Sequence, residues 1–315
     1  MIGCEISGGL GNQFFRYAFV RNLQEKRQRG EEDELMINFA ATDKHGVSGD
    51  LSDFNIKTYK HCKCRRVLLK YGYFWQILLY VILTRLERVF RNHGYLKLKY
   101  KFLGYIGIVI SENPDDETLY YPSNNIEKIF AIGNFENSAY FADVRKEVLK
   151  ELTPIHGELH YNNKLYDVIR NENSVCLAIR RGDFMTDENR KVFYVCDMSY
   201  FQSGVKYMQD NIENPVFIVF SNDIEYVKQN LKINGRVYYE SGNDPVWETF
   251  RLMYSCKHFI ISNSTLHWWA QYKSDYKDKI VVAPERWYNA PGWENHLMED
   301  YFVKLPTGVR NPFEE

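Results

Sequence analysis

Two adjacent arginines followed by a glycine and an aspartate are the residues whose types and spacing best fit a chemical function. Arg180, Arg181, Gly182 and Asp183 come directly after the apolar run 174–179. A guanidinium stays charged and offers a planar fork of donors that matches phosphate oxygens, so two in tandem can neutralise a diphosphate. Gly182 allows a turn, and Asp183 can hold one arginine or cap the next helix. The pattern indicates a site for a phosphorylated leaving group; a surface ion-pair cluster is the alternative.

A glycine-rich turn near the N-terminus is a second candidate ligand loop. Residues 7–13 (SGGLGNQ) lie between a short apolar strand pattern and a helix pattern. Gly8 and Gly9 would let backbone N–H groups approach an anion or a sugar, and a helix beginning near Asn12 adds partial positive charge. The sequence matches neither the dinucleotide fingerprint Gly-x-Gly-x-x-Gly nor a P-loop, which argues against NAD or ATP here. A structural tight turn is the alternative.

Four small polar residues form a third candidate loop. Residues 262–265 (SNST) follow an apolar strand pattern and open an aromatic-rich helix pattern. One cap residue suffices for a helix, so four hydroxyl and amide side chains beside helix N–H groups indicate a pocket for phosphate or base atoms. Ordinary capping is the alternative. Trp268 and Trp269 are interpreted as core residues rather than as a stacking platform.

These segments resemble motifs of the bacterial α-1,2-fucosyltransferases, glycosyltransferase family 11, and the resemblance runs nearly end to end. The matching segments are 8–19 (N-terminal block), 133–141 (Gly-Tyr-Phe-Gln block), 175–184 (His-x-Arg-Arg-Gly-Asp-Tyr), 220–223 (Phe-Ser-Asp-Asp) and 252–272 (Cys-Lys-His…Asn-Ser-Thr…Trp-Trp-Ala). The family's histidine before the arginine pair is Ala178 here. Other groups must supply the contact of that imidazole, or the activity is weaker. Phe184 for tyrosine and Asn222 for aspartate are milder departures.

The resemblance implies inverting transfer of L-fucose from GDP-β-L-fucose to the 2-hydroxyl of a terminal β-galactoside, in the synthesis of cell-surface glycans. Arg180 would then bind the negative charge that develops on the departing β-phosphate. Arg181 would support the diphosphate or hold the loop through Asp183. Ser221 and Asp223 would lie near the guanosine. The residues expected to bind the donor are Gly8, Gly9, Asn12, Arg180, Ser221, Asp223, Asn263, Ser264 and Thr265.

A general base for the acceptor hydroxyl has three candidates. Asp187 and Glu188 follow the arginine loop, and related enzymes with an Arg-Arg motif place an acid there. Glu136 is an alternative on the acceptor side. Each of the three would also fit a solvated surface carboxylate. An early departure of fucose would make a base unnecessary.

The fold class predicted from the chain is α/β. The length of 315 residues leaves room for two cores. Strand patterns alternate with helix patterns, and the motifs follow strand patterns, as ligand sites do in parallel sheets. The resemblance implies the GT-B type, two Rossmann-like domains facing a cleft: 1–155 on the acceptor side and 156–315 binding GDP-fucose. The predicted strands are 1–6, 35–39, 129–133, 175–179, 216–220, 237–239, 258–261 and 280–282; the main predicted helices are 12–29, 200–211, 224–230 and 246–255.

No metal or cofactor is expected beyond the donor substrate. Six cysteines show no zinc-site spacing, although Cys62 and Cys64 could chelate a metal, and no Asp-x-Asp is present. Arginines would therefore do the work of a metal. The chain begins with the first strand pattern and shows no signal-peptide pattern, which favours the cytoplasm.

A basic and aromatic insertion near 57–101 carries twelve lysines and arginines against one acid, Glu87. Its apolar run 73–83 is too short to span a bilayer, which needs about twenty residues. We expect a helix that lies on the inner face of an anionic membrane, which would suit a lipid-linked acceptor. A buried helix with solvated basic flanks is the alternative. Nucleic acid is not expected as a partner, since no recognised binding module is present.

Two other functions stay open. One is transfer from a GDP-sugar with a different acceptor or linkage. The other is a catalytically silent module that binds a glycan or a nucleotide, which the replacement of the motif histidine by Ala178 makes conceivable.

Overall fold

The chain forms two compact units, Met1–Leu152 and Thr153–Glu315. The computed structural model describes residues 1–27, 33–39, 51–62, 74–87, 93–111, 119–290 and 296–309. Each unit contains its own parallel β-sheet. The sequence prediction placed the division after residue 155.

Unit 1 is built on a five-stranded sheet of order β3-β2-β1-β5-β4. Short apolar runs such as those of β2 and β4 are buried on both faces, as parallel strands covered by helices require. Its strands are β1 Ile2–Glu5, β2 Leu35–Asn38, β3 Tyr59–Cys62, β4 Ile108–Ser111 and β5 Ile129–Gly133, and its helices are α1 Leu10–Arg27, α2 Phe74–Glu87, α3 His93–Tyr105 and α4 Arg145–Glu151. The strand order reverses between β1 and β5.

Helix α1 is buried nearly all round. Two of its polar side chains bind the end of α4: Tyr17 Oη donates to Glu151 Oε2 at 2.6 Å, and Arg21 Nε lies 2.9 Å from the same oxygen. Burial raises the pKa of Tyr17 above its ordinary value, and Glu151 adds to this, so the phenol stays a donor. These bonds fix α1 and therefore the glycine turn before it.

Unit 2 is built on a six-stranded sheet of order β11-β10-β9-β6-β7-β8. Its strands are β6 Asn173–Ile179, β7 Pro215–Ser221, β8 Arg236–Tyr239, β9 His258–Ile261, β10 Val281–Pro284 and β11 Val303–Leu305, and its helices are α5 Asn163–Asn171, α6 Asp187–Phe193, α7 Met198–Asn211, α8 Ile224–Asn230, α9 Val246–Ser255 and α10 Thr265–Lys273. Counted from β6, the order is the 3-2-1-4-5-6 of a Rossmann fold. The order reverses between β6 and β9, which is where such sheets bind ligands.

The core of unit 2 lies on β6, β7 and β9. Val175, Leu177 and Ile260 are buried against the apolar side of α7, which includes Val205 and Met208. Continuous apolar runs are what strands covered on both faces need. Trp268 and Trp269 are also fully buried, and Trp268 Nε1 donates to the carbonyl of Leu297 at 3.0 Å. Their interpretation as core residues is confirmed.

Several predicted elements differ from the structure at their ends. Strands 129–133 and 258–261 and helices 224–230 and 246–255 have the predicted bounds, whereas α1 begins at Leu10 instead of residue 12. Strands β3, β4 and β11 and helices α3, α4, α5 and α6 were not predicted. Residues 28–29, the start of the apolar run at residue 73, Cys64 and the basic residues 63, 65, 66, 70, 88 and 91 lie outside the described residues.

Candidate functional site

The loops after β6 and β9 meet where the strand order of unit 2 reverses. The backbone N–H of Arg180 donates to Ser262 Oγ at 3.3 Å, and the N–H of Ser262 donates to the carbonyl of Ala178 at 3.1 Å. Parallel strands end at one edge of the sheet, so the arginine loop and residues 262–265 become neighbours. The two candidate loops of unit 2 therefore form one site.

Arg181 is built into this edge of the sheet. Its backbone N–H donates to Asn222 Oδ1 at 3.0 Å, and its Nε donates to Asp223 Oδ2 at 3.1 Å. Its guanidinium carbon lies 3.4 Å above the centre of the Tyr226 ring, in cation–π geometry. The side chain is nine-tenths buried, and its Nη1 has no hydrogen-bond partner among the residues that the structure describes. Arg181 thus holds the loop through Asp223 and not through Asp183, which was one of its two predicted roles; its support of the diphosphate stays a prediction.

Arg180 is the more accessible of the two arginines. Its side chain is 38% exposed and pairs with Asp183 at 2.7 Å. Its guanidinium carbon lies 5.8 Å from the centre of the Phe184 ring. A partly exposed ion pair of this kind is worth little, so a phosphate can replace Asp183 at small cost. The predicted interaction of Asp183 with one arginine is present, and the next helix, α6, is capped by Thr186 instead.

Gly182 makes the turn between the arginines and α6. Its φ of +25° lies in the region that favours glycine, and a Cβ at this position would lie 2.0 Å from Asn222 Nδ2. Asn222 is the same side chain that accepts the N–H of Arg181. The glycine therefore lets Asn222 lie against the loop and fix it.

The three polar residues after Ser262 lie in different surroundings. Asn263 is buried, and its Nδ2 donates to the carbonyls of Phe193 at 2.9 Å and Trp287 at 2.7 Å. These bonds position the loop, and a contact of Asn263 with the donor stays a prediction. Ser264 is the N-cap residue of α10 but makes no side-chain cap bond, and Thr265 is the first helical residue. Both are half-buried, so the start of α10 is partly open at the site.

The glycine turn of unit 1 lies at the other reversal of strand order. Gly8 has a φ of +76°, and Gln13 Nε2 donates to its carbonyl at 3.2 Å. A Cβ on Gly8 would lie 2.7 Å from Asn12 Nδ2, whereas a Cβ on Gly9 would meet no atom within 4 Å. Gly9 is exposed, and open space lies in front of it. The turn thus leaves room for a ligand on the side of Gly9.

Arg16 joins this turn to the loop after β5. Its Nη1 donates to the carbonyl of Glu5 at 2.7 Å, and its Nη2 donates to Asn134 Oδ1 at 2.8 Å. Burial lowers the pKa of Arg16 below its ordinary value, and the nearby Cys4, Glu5 and Glu136 oppose that shift. The sequence analysis missed Arg16. Its signal was a charged residue within the apolar helix pattern 14–20.

A comparison with protein-family models matches residues 1–304 to the family described as Glycosyl transferase family 11. The chain belongs to this family. The sequence resemblance is therefore confirmed, and the protein is a glycosyltransferase.

Three relatives illustrate the range of family 11. The O-antigen biosynthesis glycosyltransferase WbnK of Escherichia coli is 28% identical over 323 residues, 97% of this chain and 100% of WbnK. An alpha-1,2-colitosyltransferase of Escherichia coli is 35% identical over 162 residues, 50% of this chain and 55% of the relative. The human galactoside alpha-(1,2)-fucosyltransferase 1 is 26% identical over 147 residues, 42% of this chain and 40% of the relative.

Among solved structures, a mutant of Arabidopsis thaliana FUT1 in complex with GDP is similar in fold. It has a TM-score of 0.50 and 10% sequence identity over 90% of this chain and 70% of that one. The predicted α/β fold class of GT-B type, with two Rossmann-like domains, is confirmed.

His267 is linked through Ser262 to the arginine loop of this family 11 chain, in which Ala178 replaces the motif histidine. Its Nδ1 lies 2.8 Å from Ser262 Oγ, the oxygen that accepts the N–H of Arg180. Burial, with the charge of Arg180 as a second cause, lowers the pKa of His267 to about 3. The imidazole is therefore neutral at ordinary pH. The sequence analysis missed it because His267 lies in a helix pattern, five residues after Ser262.

The remaining candidate site residues lie in both units: Asp187, Glu188 and Ser221 in unit 2 and Glu136 in unit 1. Asp187 and Glu188 are exposed in the first turn of α6, where a carboxylate stabilises the helix dipole. Ser221 Oγ accepts the N–H of Asp223 at 3.0 Å. Glu136 is half-buried after β5 in unit 1, and its charge reaches Arg16. A role for each of these side chains toward donor or acceptor stays a prediction.

Two searches of the described residues found nothing. In that part of the chain, no three His, Cys, Asp or Glu side chains are grouped so that they could hold a metal ion. No described helix has the length and apolar character needed to cross a bilayer.

Proposed function

We propose that this glycosyltransferase moves L-fucose from GDP-β-L-fucose to the 2-hydroxyl of a terminal β-galactoside, with inversion, in cell-surface glycan synthesis. Membership of family 11 supports the proposal, as does the name of the human relative, a galactoside alpha-(1,2)-fucosyltransferase. A single displacement at the anomeric carbon turns the β-linked donor into an α-linked product.

The observation that carries the proposal is that the partly exposed side chain of Arg180 lies next in sequence to Arg181, whose side chain is buried and fixed. As fucose leaves, negative charge grows on the β-phosphate, and donors already aimed at that charge lower the barrier. Arg180 has only a partly exposed ion pair with Asp183 to give up, and it lies at the strand-order reversal of unit 2. The buried Nη1 of Arg181 is a second donor with no partner within the described structure.

The other donor contacts follow from the two reversal points. Ser264, Thr265 and the start of α10 would bind phosphate or ribose oxygens, and Ser221 and Asp223 would lie near the guanosine. Gly8, Gly9 and Asn12 would line the sugar-phosphate side. We propose that no metal ion is needed, because fixed arginine charges can neutralise the diphosphate. Proton removal by Glu136, Asp187 or Glu188 is a further part of this proposal.

A second candidate donor is a GDP-linked colitose, the 3-deoxy form of L-fucose. The relative with 35% identity over half of this chain is named an alpha-1,2-colitosyltransferase. Both sugars leave from the same nucleotide, so the arginine loop would serve either. Donor preference would depend on whether a group in the protein binds the 3-hydroxyl, since an unpaired buried polar group strongly disfavours the analogue that lacks its partner.

The acceptor is proposed to be a β-galactoside glycan, carried on a lipid at the cytoplasmic face of the membrane. The name of the O-antigen relative WbnK supports a cell-surface glycan. The basic stretch 57–101 supports a position near anionic lipid.

The test is the release of GDP from purified protein with GDP-fucose, with and without lactose, in excess EDTA. Arg180→Ala should lower kcat by about a hundredfold or more, because one donor that binds the developing charge of the leaving group supplies about 3 kcal/mol of transition-state stabilisation. Arg180→Lys should recover little, because a lysine lacks the planar fork. Arg170→Ala, an exposed arginine of α5, is the matched control.

Each outcome has a distinct meaning. Lactose-dependent release that survives EDTA and is lost in Arg180→Ala supports the proposal. Faster release from GDP-colitose than from GDP-fucose would identify the second donor. No release with a panel of GDP-sugars and galactosides would contradict a catalytic role and favour a silent binding module.

A further inference from the structure

The outward side of α2 is apolar. Its exposed large side chains at positions 75, 78, 82 and 86 recur every three or four residues, and those at 74 and 81 lie beside them, so together they form one stripe along the helix. They are Phe74, Trp75, Leu78, Val81, Ile82 and Leu86, and Trp75 is 68% exposed. We name these six residues the apolar face. A helix on the surface of a globular protein normally exposes its polar side chains to solvent, whereas this helix exposes apolar ones.

The opposite side of α2 already packs on unit 1. Ile77 contacts the cluster of Met36 and Phe130, and Tyr80 and Leu83 contact the cluster around Leu103. These contacts hold α2 against the sheet. The apolar face is therefore available for a partner and is not needed to keep the helix in place.

Helix α3 extends the exposed apolar surface. Tyr95 Oη donates to the carbonyl of Leu83 at 2.9 Å, which joins α3 to α2. Leu98, Phe102 and Tyr105 are exposed at spacings of four and three residues. Two neighbouring helices of unit 1 thus both present apolar and aromatic side chains to the outside.

The exposed charged side chains that the structure describes on α2 and α3, apart from the paired Glu87, have one sign. Lys99 is buried, and its Nζ lies 2.6 Å from Glu87, the one acid within 57–101. The remaining described charges on α2 and α3, Arg85, Lys97 and Lys101, are exposed cations. Glu87 is therefore paired with Lys99 on the buried side, and the other charged side chains that the structure describes on α2 and α3 are cations.

We propose that the apolar face, with Arg85, Lys97 and Lys101, binds an anionic lipid surface. Aromatic and branched side chains would enter the interface between headgroups and acyl chains, and the cations would bind lipid phosphates. Charge selects this occupant over a second copy of the chain, because two copies would bring like charges together across the contact. The proposal concerns binding to a lipid surface, and it holds whichever donor or acceptor sugar the enzyme uses.

The first test is sedimentation of the full chain with vesicles of phosphatidylcholine alone or mixed with phosphatidylglycerol, at low and high salt. Binding should require the anionic lipid and weaken in high salt. Lys97→Gln with Lys101→Gln should weaken binding by about 30-fold, since each cation near the surface contributes about a fivefold factor. The matched control is Lys146→Gln with Lys150→Gln, two exposed lysines of α4.

The second test replaces the apolar contact. Leu78→Gln with Ile82→Gln should reduce binding at least tenfold, because two apolar side chains would no longer leave water. Ile155→Gln, an exposed isoleucine in unit 2, should bind as the original protein does. Thermal unfolding midpoints of both variants should stay close to that of the original, because none of these side chains is in a core.

Trp75 gives a direct optical signal. Among the described tryptophans Trp75 is exposed, whereas Trp247, Trp268, Trp269 and Trp287 are buried. Trp293 lies outside the described residues, so the measurement uses a Trp293→Phe background, in which a vesicle-induced blue shift of tryptophan emission should come mainly from Trp75. Trp75→Phe keeps an apolar ring; it should bind vesicles but lose most of the shift.

Three results would overturn the proposal. One is no preference for phosphatidylglycerol vesicles in sedimentation. Another is equal weakening by the α4 control pair, which would show a nonspecific charge effect. The third is a dimer in analytical ultracentrifugation that Leu78→Gln with Ile82→Gln dissociates while vesicles stay unbound; this would identify a second copy as the occupant.

Discussion

Arg180 and Arg181 are neighbours in the sequence, but their surroundings divide the work of binding a diphosphate. Arg181 is fixed by Asn222, Asp223 and the ring of Tyr226. Its side chain therefore loses little conformational entropy when a ligand binds. Arg180 keeps a side chain that can turn from Asp183 to a ligand. One arginine supplies preorganised charge, and the other can follow the charge that develops on the leaving group.

Also at the scale of residues, we expect His267 to act as a positioning residue for Arg180. His267→Ala should remove the partner of Ser262 Oγ and lower kcat by about tenfold or more, because small shifts of an aligned group are costly. Ala178 lies on β6 two residues before Arg180, so both side chains point to the same face. Ala178→His in the His267→Ala background should therefore restore part of the lost kcat, measured as GDP release.

Ala178→His alone is the matched control for this prediction. It should raise kcat little or lower it, because the original protein already has a neutral imidazole beside the loop and Ala178 is fully buried. If the double variant were no faster than His267→Ala, the imidazole would have only a packing role.

The buried His267 also makes stability depend on pH. Its pKa is about 3 in the folded chain against about 6.5 when unfolded, so below pH 6.5 the unfolded chain binds a proton that the folded chain does not. The free energy of unfolding should thus fall as the pH drops through this window, by about 2 kcal/mol from this group at about pH 5. Urea denaturation of His267→Gln should show a loss between pH 7 and pH 5 that is smaller by about that amount. Equal losses in both proteins would contradict this assignment.

At the scale of elements, the turn at Gly182 should tolerate no side chain while Asn222 is in place. Gly182→Ala should cost about 1–2 kcal/mol of stability and lower kcat, because the φ of +25° is strained for alanine and the new Cβ would displace Asn222 from the N–H of Arg181. Thermal denaturation and GDP release measure the two effects.

The control for the turn is Gly157→Ala, whose Cβ would meet no atom within 4 Å. It should change stability by no more than about 0.5 kcal/mol. In an Asn222→Ala background, Gly182→Ala should cost less than in the original protein, since the clash is gone. Additive effects of the two substitutions would show that Asn222 and Gly182 act independently.

Apolar strands and long amphipathic helices of this chain could be predicted from the sequence, because their patterns reflect burial directly. β9 and α9 have the predicted bounds. Strand β3 was missed because its sequence, YKHC, carries polar residues that are tolerated at the edge of a sheet. Helix α6 was missed because its seven residues bury no side chain and so lack an apolar period.

The contacts that shape the site were harder to predict than its residues. Arg180 and the loop 262–265 could be found from their types and from strand ends. Arg181 binds Asp223 rather than Asp183 because β7 lies beside β6. This strand order is part of the tertiary structure and has no local sequence signal. Arg16 and His267 each lie in a helix pattern and contact a loop distant in sequence, so no local signal showed their partners.

At the scale of the whole molecule, the glycine turn of unit 1 and the arginine loop of unit 2 each lie where the strand order of their sheet reverses. In unit 1 the order reverses between β1 and β5, next to Gly8 and Gly9, and in unit 2 between β6 and β9, next to Arg180. A parallel sheet opens a crevice at such a point because adjacent connections leave on opposite faces. Each sheet therefore opens its own crevice: the one in unit 2 is the predicted nucleotide site, and the one in unit 1 would receive the acceptor and the sugar-phosphate side of the donor.

This separation predicts that unit 2 alone binds the nucleotide. Residues 153–315 contain all six strands of their sheet together with Arg180, Arg181, Asp223 and the start of α10. A fragment of these residues that is folded by circular dichroism should bind GDP within about tenfold of the affinity of the full chain, as measured by titration calorimetry, because the arginine loop and the start of α10 are present and only the proposed contacts of Gly8, Gly9 and Asn12 are lost. It should release no GDP from GDP-fucose in the presence of lactose, since the glycine turn and Glu136 are missing.

The control is the same fragment with Arg180→Ala, which should bind GDP at least tenfold more weakly, because a charge-assisted bond to phosphate contributes about 1.5–3 kcal/mol. A folded fragment with no measurable affinity for GDP would place essential donor contacts in unit 1. Lactose-dependent turnover by the fragment would show instead that unit 1 is dispensable for the acceptor. Either result would reject the assignment of the nucleotide to unit 2 and of the acceptor to unit 1. A fragment that binds GDP but does not turn over GDP-fucose is the result that this assignment predicts.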